Sequence, residues 1–120
     1  MSFETVINAR LRALCDDRAW PDFRPPDVPK VYPFCTYQQI GGQVFEFLEN
    51  SHPGTRNARM QVNVWGTDRL TVNALMREIE EDFLGTELRA SAIGALTSLY
   101  DPAVKLYGAR QDFSVTLDDD

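Results

Sequence analysis

The sequence is poor in the residues that most often carry out catalysis or hold metals. Its 120 residues include one histidine, His52, and two cysteines, Cys15 and Cys35. Neither cysteine has a second cysteine or a histidine at metal-ligand spacing, so the zinc-site pattern is not met. Cys15 falls in a helical pattern and Cys35 in a strand-like run. We expect both to be small buried or half-buried residues rather than a disulfide.

Long apolar runs are also missing. No stretch approaches the roughly 20 consecutive apolar residues of a membrane-spanning helix. The first four residues carry neither the basic region nor the apolar core of a signal peptide. We therefore expect a protein that is made and kept in a cytosol and does not contact a membrane.

Positive charge is scarce in the C-terminal half. Residues 1–70 carry eight Lys/Arg and eight Asp/Glu, whereas residues 71–120 carry four and ten, which accounts for the whole net charge of −6. Nucleic-acid binding needs clustered cations that displace counterions, so specific binding is disfavoured. An acidic wall that DNA slides past remains compatible with this distribution, because repulsion prevents sticking.

Two amphipathic helices are predicted from apolar residues at three- and four-residue steps. The first covers residues 2–15, with Ser2 as its N-cap. The second begins after a cap at Thr67 or Asp68 and ends at Gly85. Between the first helix and the first predicted strand, residues 20–33 contain five prolines and form an extended connector. We expect Trp20 and Phe23 of this connector to lie against the domain surface.

Five strands are predicted from β-branched and aromatic residues and from alternation of polar and apolar positions. They cover residues 34–40, 43–48, 58–65, 88–99 and 107–117, the fourth bent at Gly94. The simplest packing is a single α+β domain over residues 1–120, with a five-stranded, mainly antiparallel sheet and both helices on one face. A short acidic tail, residues 118–120, closes the chain.

Catalytic chemistry finds little support. His52 lies at an apparent loop tip beside Pro-Gly, where a turn role is commoner than a base. The acidic run from Glu78 to Asp82 is expected to be a solvated helix surface and lacks the burial that separates the pKa values of a catalytic pair. No phosphate-binding glycine loop and no calcium loop is present. We expect no enzyme activity, no cofactor and no metal.

Three stretches, taken together, resemble a known family. They are residues 31–40 (VYPFCTYQQI), residues 59–66 (RMQVNVWG) with the helix that follows at 70–83, and residues 99–115 from Leu-Tyr-Asp-Pro to Phe-Ser-Val. With the N-terminal helix they cover almost the whole chain in the order seen in small phage tail-completion proteins. That family was formerly described as a domain of unknown function and is related in role to the tail terminators of siphoviruses.

The resemblance implies a structural virion protein. Members form a ring, typically a hexamer, at the head-proximal end of the tail, where they stop growth of the tube and join the tail to the head connector. The implied partners are copies of the same chain, the tail tube protein and a connector protein. The implied location is the virion, after assembly in the host cytoplasm, and no cofactor or enzymatic step is implied.

Two groups of residues are candidates for these contacts. The polar loop of residues 48–58 has the reach to touch a neighbour, and its candidate interface residues are Glu49, Asn50, Arg56 and Arg59. For the two arginines, an ordinary solvated position is an equally good interpretation. Glu80, Glu81 and Asp82 are candidates for an acidic lining of the channel.

Other functions stay open. A head-completion or stopper protein would share the connector position but bind the portal side. A small ligand-binding α+β module would instead show a closed apolar pocket with convergent polar groups.

Overall fold

A computed structural model describes residues 2–43, 55–85 and 88–118 of the chain. Within these ranges it contains two α-helices and five β-strands. In chain order they are α1 (Phe3–Leu14), β1 (Ala19–Pro21), β2 (Phe34–Gln39), β3 (Thr55–Gly66), α2 (Arg69–Leu84), β4 (Arg89–Asp101) and β5 (Leu106–Asp118).

The five strands form one sheet in the order β1-β2-β3-β5-β4. The pairs β2–β3, β3–β5 and β4–β5 are antiparallel, whereas β1 runs parallel to β2. The predicted α+β class, with a five-stranded and mainly antiparallel sheet, is therefore confirmed. The sheet is mixed because the chain returns from β1 to β2 through the connector and not through a hairpin.

Local capping sets the limits of α1. The Ser2 hydroxyl oxygen accepts a hydrogen bond from the Thr5 amide at 3.0 Å and so satisfies a donor of the first turn. At the other end the Cys15 amide donates to the Leu11 carbonyl. The next two residues, Asp16 and Asp17, have φ values of 49° and 64°. The chain thus leaves the helix through a left-handed turn.

The cap of α2 is Asp68, one of the two residues predicted for this position. One carboxylate oxygen accepts from both the Thr71 amide and the Thr71 hydroxyl, each at 2.9 Å. These hydrogen bonds favour the ionised carboxylate and lower the pKa of Asp68. The Gly85 amide closes the helix on the Glu81 carbonyl, as the sequence predicts.

Both helices cover the same side of the sheet, here called the helix face. Along β3, Met60, Val62 and Val64 are fully buried and point to this face, while the intervening residues point to the opposite, open face. One cluster joins them to the apolar stripes of both helices. At its centre the rings of Phe83 and Phe113 meet edge to face at 4.9 Å, a contact worth about 0.5–1.5 kcal/mol beyond burial.

The bend predicted at Gly94 is present as an irregularity in the β4–β5 ladder. The pairing shifts between Ile93 and Thr97, and Gly94 has a φ of 77°. Its carbonyl accepts a hydrogen bond at 3.0 Å from the side-chain nitrogen of Gln111, a buried residue whose Oε1 has no hydrogen-bond partner among the described residues. A buried polar side chain on β5 is therefore paired with the bulge of its neighbour.

Two strand predictions differ from the structure. Ala19–Pro21, assigned in part to the connector, forms the short strand β1, which pairs with residues 35–37 of β2. β3 begins at Thr55, so residues 55–57 belong to the sheet and not to the predicted loop of residues 48–58. The strand predicted at residues 43–48 lies outside the described residues except for Gln43, which is not in a strand.

The prediction for the cysteines was wrong in one respect. Cys15 and Cys35 are both buried, as expected, but the structure joins them as a disulfide. The residue that follows α1 is brought against β2 because β1 and β2 run side by side beneath the helix end. Helical and strand-like patterns taken separately do not reveal this proximity.

Candidate assembly interface

The open face of the sheet carries a layer of paired polar side chains. Arg59 donates from Nε and Nη2 to one carboxylate oxygen of Asp112, at 2.9 and 2.7 Å. Arg110 donates from Nε to the Asn63 side-chain oxygen at 2.8 Å. These contacts join β3 to β5 and leave both arginines partly solvated. The Arg59–Asp112 ion pair, near the surface, contributes little to stability, about 0.2–1 kcal/mol.

At one end of the open face the proline-rich connector folds back over the sheet. Phe34, whose side chain lies on the open face, is only 6% exposed because the rings of Trp20 and Tyr32 lie 6.1 and 5.9 Å from its own. The Arg18 side chain supports this arrangement by donating to the Pro33 carbonyl at 2.8 Å. The connector is therefore packed on the domain. Trp20 lies against the surface as expected, whereas Phe23 stays 67% exposed.

Arg24 occupies the centre of this aromatic cluster. Its guanidinium carbon lies 4.4 Å from the ring centroid of Phe34 and 5.1 Å from that of Tyr32. Cation–π contacts of this kind are worth about 0.5–2 kcal/mol, more when water is excluded. Nη1 of Arg24 is buried and has no hydrogen-bond partner among the described residues. A buried donor without an acceptor is costly, so this nitrogen is available to donate a hydrogen bond to an oxygen atom of a partner.

Beside Arg24 lies a small, largely apolar pocket of about 200 Å³. Its walls come from the connector, β2, the end of β3 and the turn between β4 and β5. The residues that line it are Asp22, Phe23, Arg24, Phe34, Thr36, Trp65, Asp101, Val104 and Leu106. Phe23 and Val104, at 67% and 58% exposure, are the most exposed of its apolar residues. We call these nine residues the aromatic pocket.

A second concavity lies beside α1, at the end of the sheet where Leu88 and Leu117 meet. This groove measures about 650 Å³. Its apolar lining includes Val6 and Leu14 of α1, together with the two leucines named above. Asp82 of α2 also contributes: one of its oxygens lies 3.8 Å from Arg10 Nη1, and the other is buried without a hydrogen bond from the described residues.

The structure separates the predicted interface residues. Glu49 and Asn50 lie outside the described residues. Arg56 and Arg59 are both exposed, but they belong to opposite faces of β3 because three positions separate them on a strand. Arg56 stacks on Phe3 of α1 at 5.4 Å, whereas Arg59 binds Asp112 on the open face. The two arginines therefore do not form one patch.

The predicted acidic lining is also divided. Glu81 is exposed and Glu80 half-buried on α2, while Asp82 turns towards α1 and its Arg10. Successive residues on a helix point about 100° apart, so three consecutive carboxylates do not share a direction. Of the three, Glu80 and Glu81 are therefore the better candidates for a solvent-facing acidic surface.

Sequence reasoning missed most of the aromatic pocket. Trp65 and Phe34 are recognisable as strand residues. The other walls of the pocket come from the connector and from the β4–β5 turn, and these two segments are distant from each other in the chain. The only local signal was the density of aromatic residues and prolines at 20–34.

The described residues contain no group of three or more His, Cys, Asp and Glu side chains placed to hold a metal ion. No helix among them is both long and apolar enough to cross a membrane. His52 lies outside these ranges. Comparison of the chain with protein-family models and with curated proteins returned no match.

Proposed function

We propose that this chain is a structural assembly protein of a tailed phage or a phage-derived particle. In this proposal it forms a ring of six copies at the head-proximal end of the tail. The ring ends polymerisation of the tail tube and joins the tail to the head connector. The protein is assembled in the host cytoplasm and resides in the virion, and DNA passes through the ring without specific contacts.

The aromatic pocket is the observation that carries this proposal. Each of the three stretches that resemble tail-completion proteins supplies one of its walls: Phe34 from the first, Trp65 from the second and Asp101 from the third. Stretches that are far apart in sequence thus converge on one exposed surface. A contact with a partner explains this convergence better than core packing does, because the core lies on the other face of the sheet.

The composition of the pocket suits a contact between proteins. Interfaces are enriched in aromatic residues and arginine, and a few such residues in a desolvated centre supply most of the binding energy. Here Arg24 lies over the ring of Phe34, and Phe23 and Val104 are exposed at the rim of the pocket. In a cyclic ring one face of a subunit meets a different face of the next, so a pocket on one side is sufficient.

Electron microscopy of the purified chain tests the proposal directly. Negative-stain images at high concentration, and in the presence of the tail tube protein, should show rings with an open channel. The tube protein should also be retained when the chain is immobilised. A chain that stays monomeric in both conditions and binds no tube protein contradicts the proposal.

The same binding assay separates the proposal from its nearest alternative, a head-completion or stopper protein. A stopper binds the portal-side ring and leaves the tube protein in solution. Retention of the portal-side protein alone would replace the terminator assignment with the stopper assignment.

The groove beside α1 favours a second candidate, a small ligand-binding module. Its volume of about 650 Å³ falls in the range of ligand sites. Its lining includes Asp82, one of whose carboxylate oxygens receives no hydrogen bond from the described residues. Exposed Ala9 lies in its wall. If the groove binds a ligand, Ala9→Trp should abolish the protection that small apolar amines give against thermal unfolding. If no such compound raises the Tm of the natural chain, this candidate fails.

A further inference from the structure

The outer edge of the sheet is formed by β4 and is long. β4 has 13 residues and lies last in the strand order, and β5 is its one partner among the described strands. Most of its residues are exposed, including Ile93 at 37% and Tyr100 at 47%. Apart from the Ala90 amide, which donates to the Leu88 carbonyl at 2.8 Å, the edge presents a row of backbone donors and acceptors to solvent, which is a template for pairing with another strand.

The two edges of the sheet are built differently. The opposite edge is β1, only three residues long and ended by Pro21, which is a common way to block pairing. Between Arg89 and Asp101, by contrast, β4 contains no charged residue and no proline. Of the usual devices that protect an edge, the bulge is the one that β4 shows within the described part of the chain.

The layout of β4 is symmetric about Ala95. Residues 89–93 and 97–101 form two regular five-residue segments, each paired with β5, and residues 94–96 form the irregularity between them. One end carries a positive charge, Arg89, and the other a negative charge, Asp101. An antiparallel copy of the strand has the same layout in reverse.

We propose that β4 pairs with β4 of a second copy of this chain, antiparallel and about a two-fold axis at Ala95. In this register residues whose numbers sum to 190 lie opposite each other. Arg89 of each copy then faces Asp101 of the other, the two regular segments pair along their full length, and the two bulges meet at the axis. The result is a continuous ten-stranded sheet across both subunits.

The faces of the two sheets agree in this register. The numbers of two opposite residues always differ by an even amount. Side chains on the open face therefore lie opposite side chains on the open face, and the outward backbone amides of one strand lie opposite those of the other. Ile93 lies opposite Thr97 on the open face, a pair of β-branched residues. On the helix face, Tyr100 lies opposite Ala90, which leaves room for the larger ring.

This contact does not depend on the proposed function. A two-fold contact is isologous and cannot by itself close a ring, which requires a heterologous contact. The inference predicts a dimer for the isolated chain, and within an assembly it would join two rings or two subunits back to back. Either proposal can therefore fail while the other stands.

Cross-linking tests the register. Ser91 of one copy faces Leu99 of the other, and antiparallel strand partners have Cα atoms about 4.5–5.5 Å apart, within disulfide reach. The double variant Ser91→Cys/Leu99→Cys should form a covalent dimer under mild oxidation, seen by non-reducing electrophoresis. Each single variant is the matched control and should not cross-link, because its cysteine faces Leu99 or Ser91 of the other copy. A double variant that keeps the natural Tm and stays uncross-linked overturns the inference.

A charge exchange tests the same contact without cysteines. Arg89→Asp alone should weaken dimerisation by about tenfold in sedimentation velocity, because like charges then oppose each other at both ends. Asp101→Arg should do the same, but it also alters a wall of the aromatic pocket and removes the acceptor of the Ala103 amide. The two changes together should restore it, whereas Arg77→Asp on the exposed surface of α2 should have no effect. A natural chain that sediments as a monomer at every concentration, or dimers unaffected by both Arg89→Asp and Asp101→Arg, would also overturn the inference. Rings without a Ser91–Leu99 cross-link would contradict this contact and leave the proposed function intact.

Discussion

The indole ring of Trp65 lies directly on the backbone of Gly108, its neighbour across the open face of the sheet. The two residues are register partners in the β3–β5 ladder. A β-carbon at position 108 would come within 2.6 Å of Trp65 Cζ3 and 2.8 Å of Cε3. The absence of a side chain on β5 therefore allows Trp65 to lie flat and to form the floor of the aromatic pocket.

Gly108→Ala should displace Trp65 without changing the strand order. Overpacking of this kind costs about 1–3 kcal/mol, so we expect the free energy of unfolding in urea to fall by that amount. Trp65 fluorescence should shift to the red as the ring gains solvent. Gly94→Ala is a useful comparison, because nothing lies within 4 Å of its added carbon, although its positive φ still imposes strain. Unchanged fluorescence in Gly108→Ala would contradict the contact.

Phe23 and Val104 should matter for assembly and little for folding. Both are largely exposed at the rim of the aromatic pocket. A charge there would oppose desolvation of the contact, so Phe23→Asp and Val104→Asp should each weaken ring or tube binding by at least about thirtyfold, the scale of a 2 kcal/mol hot spot. The Tm should change by only a few degrees.

Leu70 is the matched control for these two variants. It is 77% exposed on α2 and does not line the pocket. Leu70→Asp should leave binding unchanged. Equal losses in all three variants would indicate a general effect of added negative charge and not a specific surface.

Tyr37 links β2 to α1 and makes stability depend on alkaline pH. Its buried hydroxyl accepts a hydrogen bond at 2.8 Å from the side-chain amide of Asn8. Burial raises the pKa of Tyr37 above its ordinary value of 10.0, an effect that the Asn8 hydrogen bond partly opposes. The stabilisation is therefore complete below pH 10.0 and is lost as the pH rises through the higher pKa of the folded state.

Tyr37→Phe isolates this contribution. At neutral pH the variant should lose about 1 kcal/mol, since the Asn8 amide loses its acceptor. Above pH 10.0 the difference between the two proteins should shrink, because only the natural chain pays the cost of ionising a buried phenol. Urea titrations across the alkaline range measure both effects, and parallel curves for the two proteins would rule out a shifted Tyr37.

The Cys15–Cys35 disulfide should stabilise the junction of α1 and β2. The bond closes a loop with a sequence separation of 20 residues. Loops of this length contribute about 3 kcal/mol through the unfolded chain. Dithiothreitol should therefore lower the Tm of the oxidised protein while far-ultraviolet circular dichroism stays unchanged. The Tm of the double variant Cys15→Ala/Cys35→Ala should not change with the reductant. If the Tm of the natural chain is also unchanged, the bond does not form.

Charge reversal at Glu80 and Glu81 tests the acidic lining of the channel. Glu81 is exposed and Glu80 half-buried on α2, so Glu80→Lys/Glu81→Lys should leave the Tm within a few degrees of the natural value. If the surface lines the channel, infectivity should fall strongly, because new cations would retard the passage of DNA. Asp82 is best left intact, since reversal there would oppose Arg10 at 3.8 Å. Asp27→Lys, on the exposed connector, is the control and should be neutral.

Helices were the most predictable part of the fold, because their signals are local. Ser2 and Asp68 act as caps where the sequence places them, and Gly85 ends the second helix. The irregularity at Gly94 was equally visible as a glycine within a strand pattern. The start of β3 was harder to predict, because residues 55–57 are polar and become a strand only by pairing with β5.

The candidate site was far less predictable. Arg56 and Arg59 were grouped by their nearness in the chain, yet the pleat of one strand sends them to opposite faces. Arg24 had no distinguishing local pattern, and its position over Phe34 depends on how the connector returns to the sheet.

The sequence by itself determined the α+β class, the limits of both helices, the open and helix faces of β3 and β5, and the acidity of the C-terminal half. Periodicity, capping and charge are properties of neighbouring residues, so the chain displays them without folding. Only the tertiary structure decided the parallel pairing of β1 with β2, the bond between the cysteines and the aromatic pocket over Trp65. Each of these joins residues far apart in sequence, and their contact free energy is realised only when the whole sheet has formed.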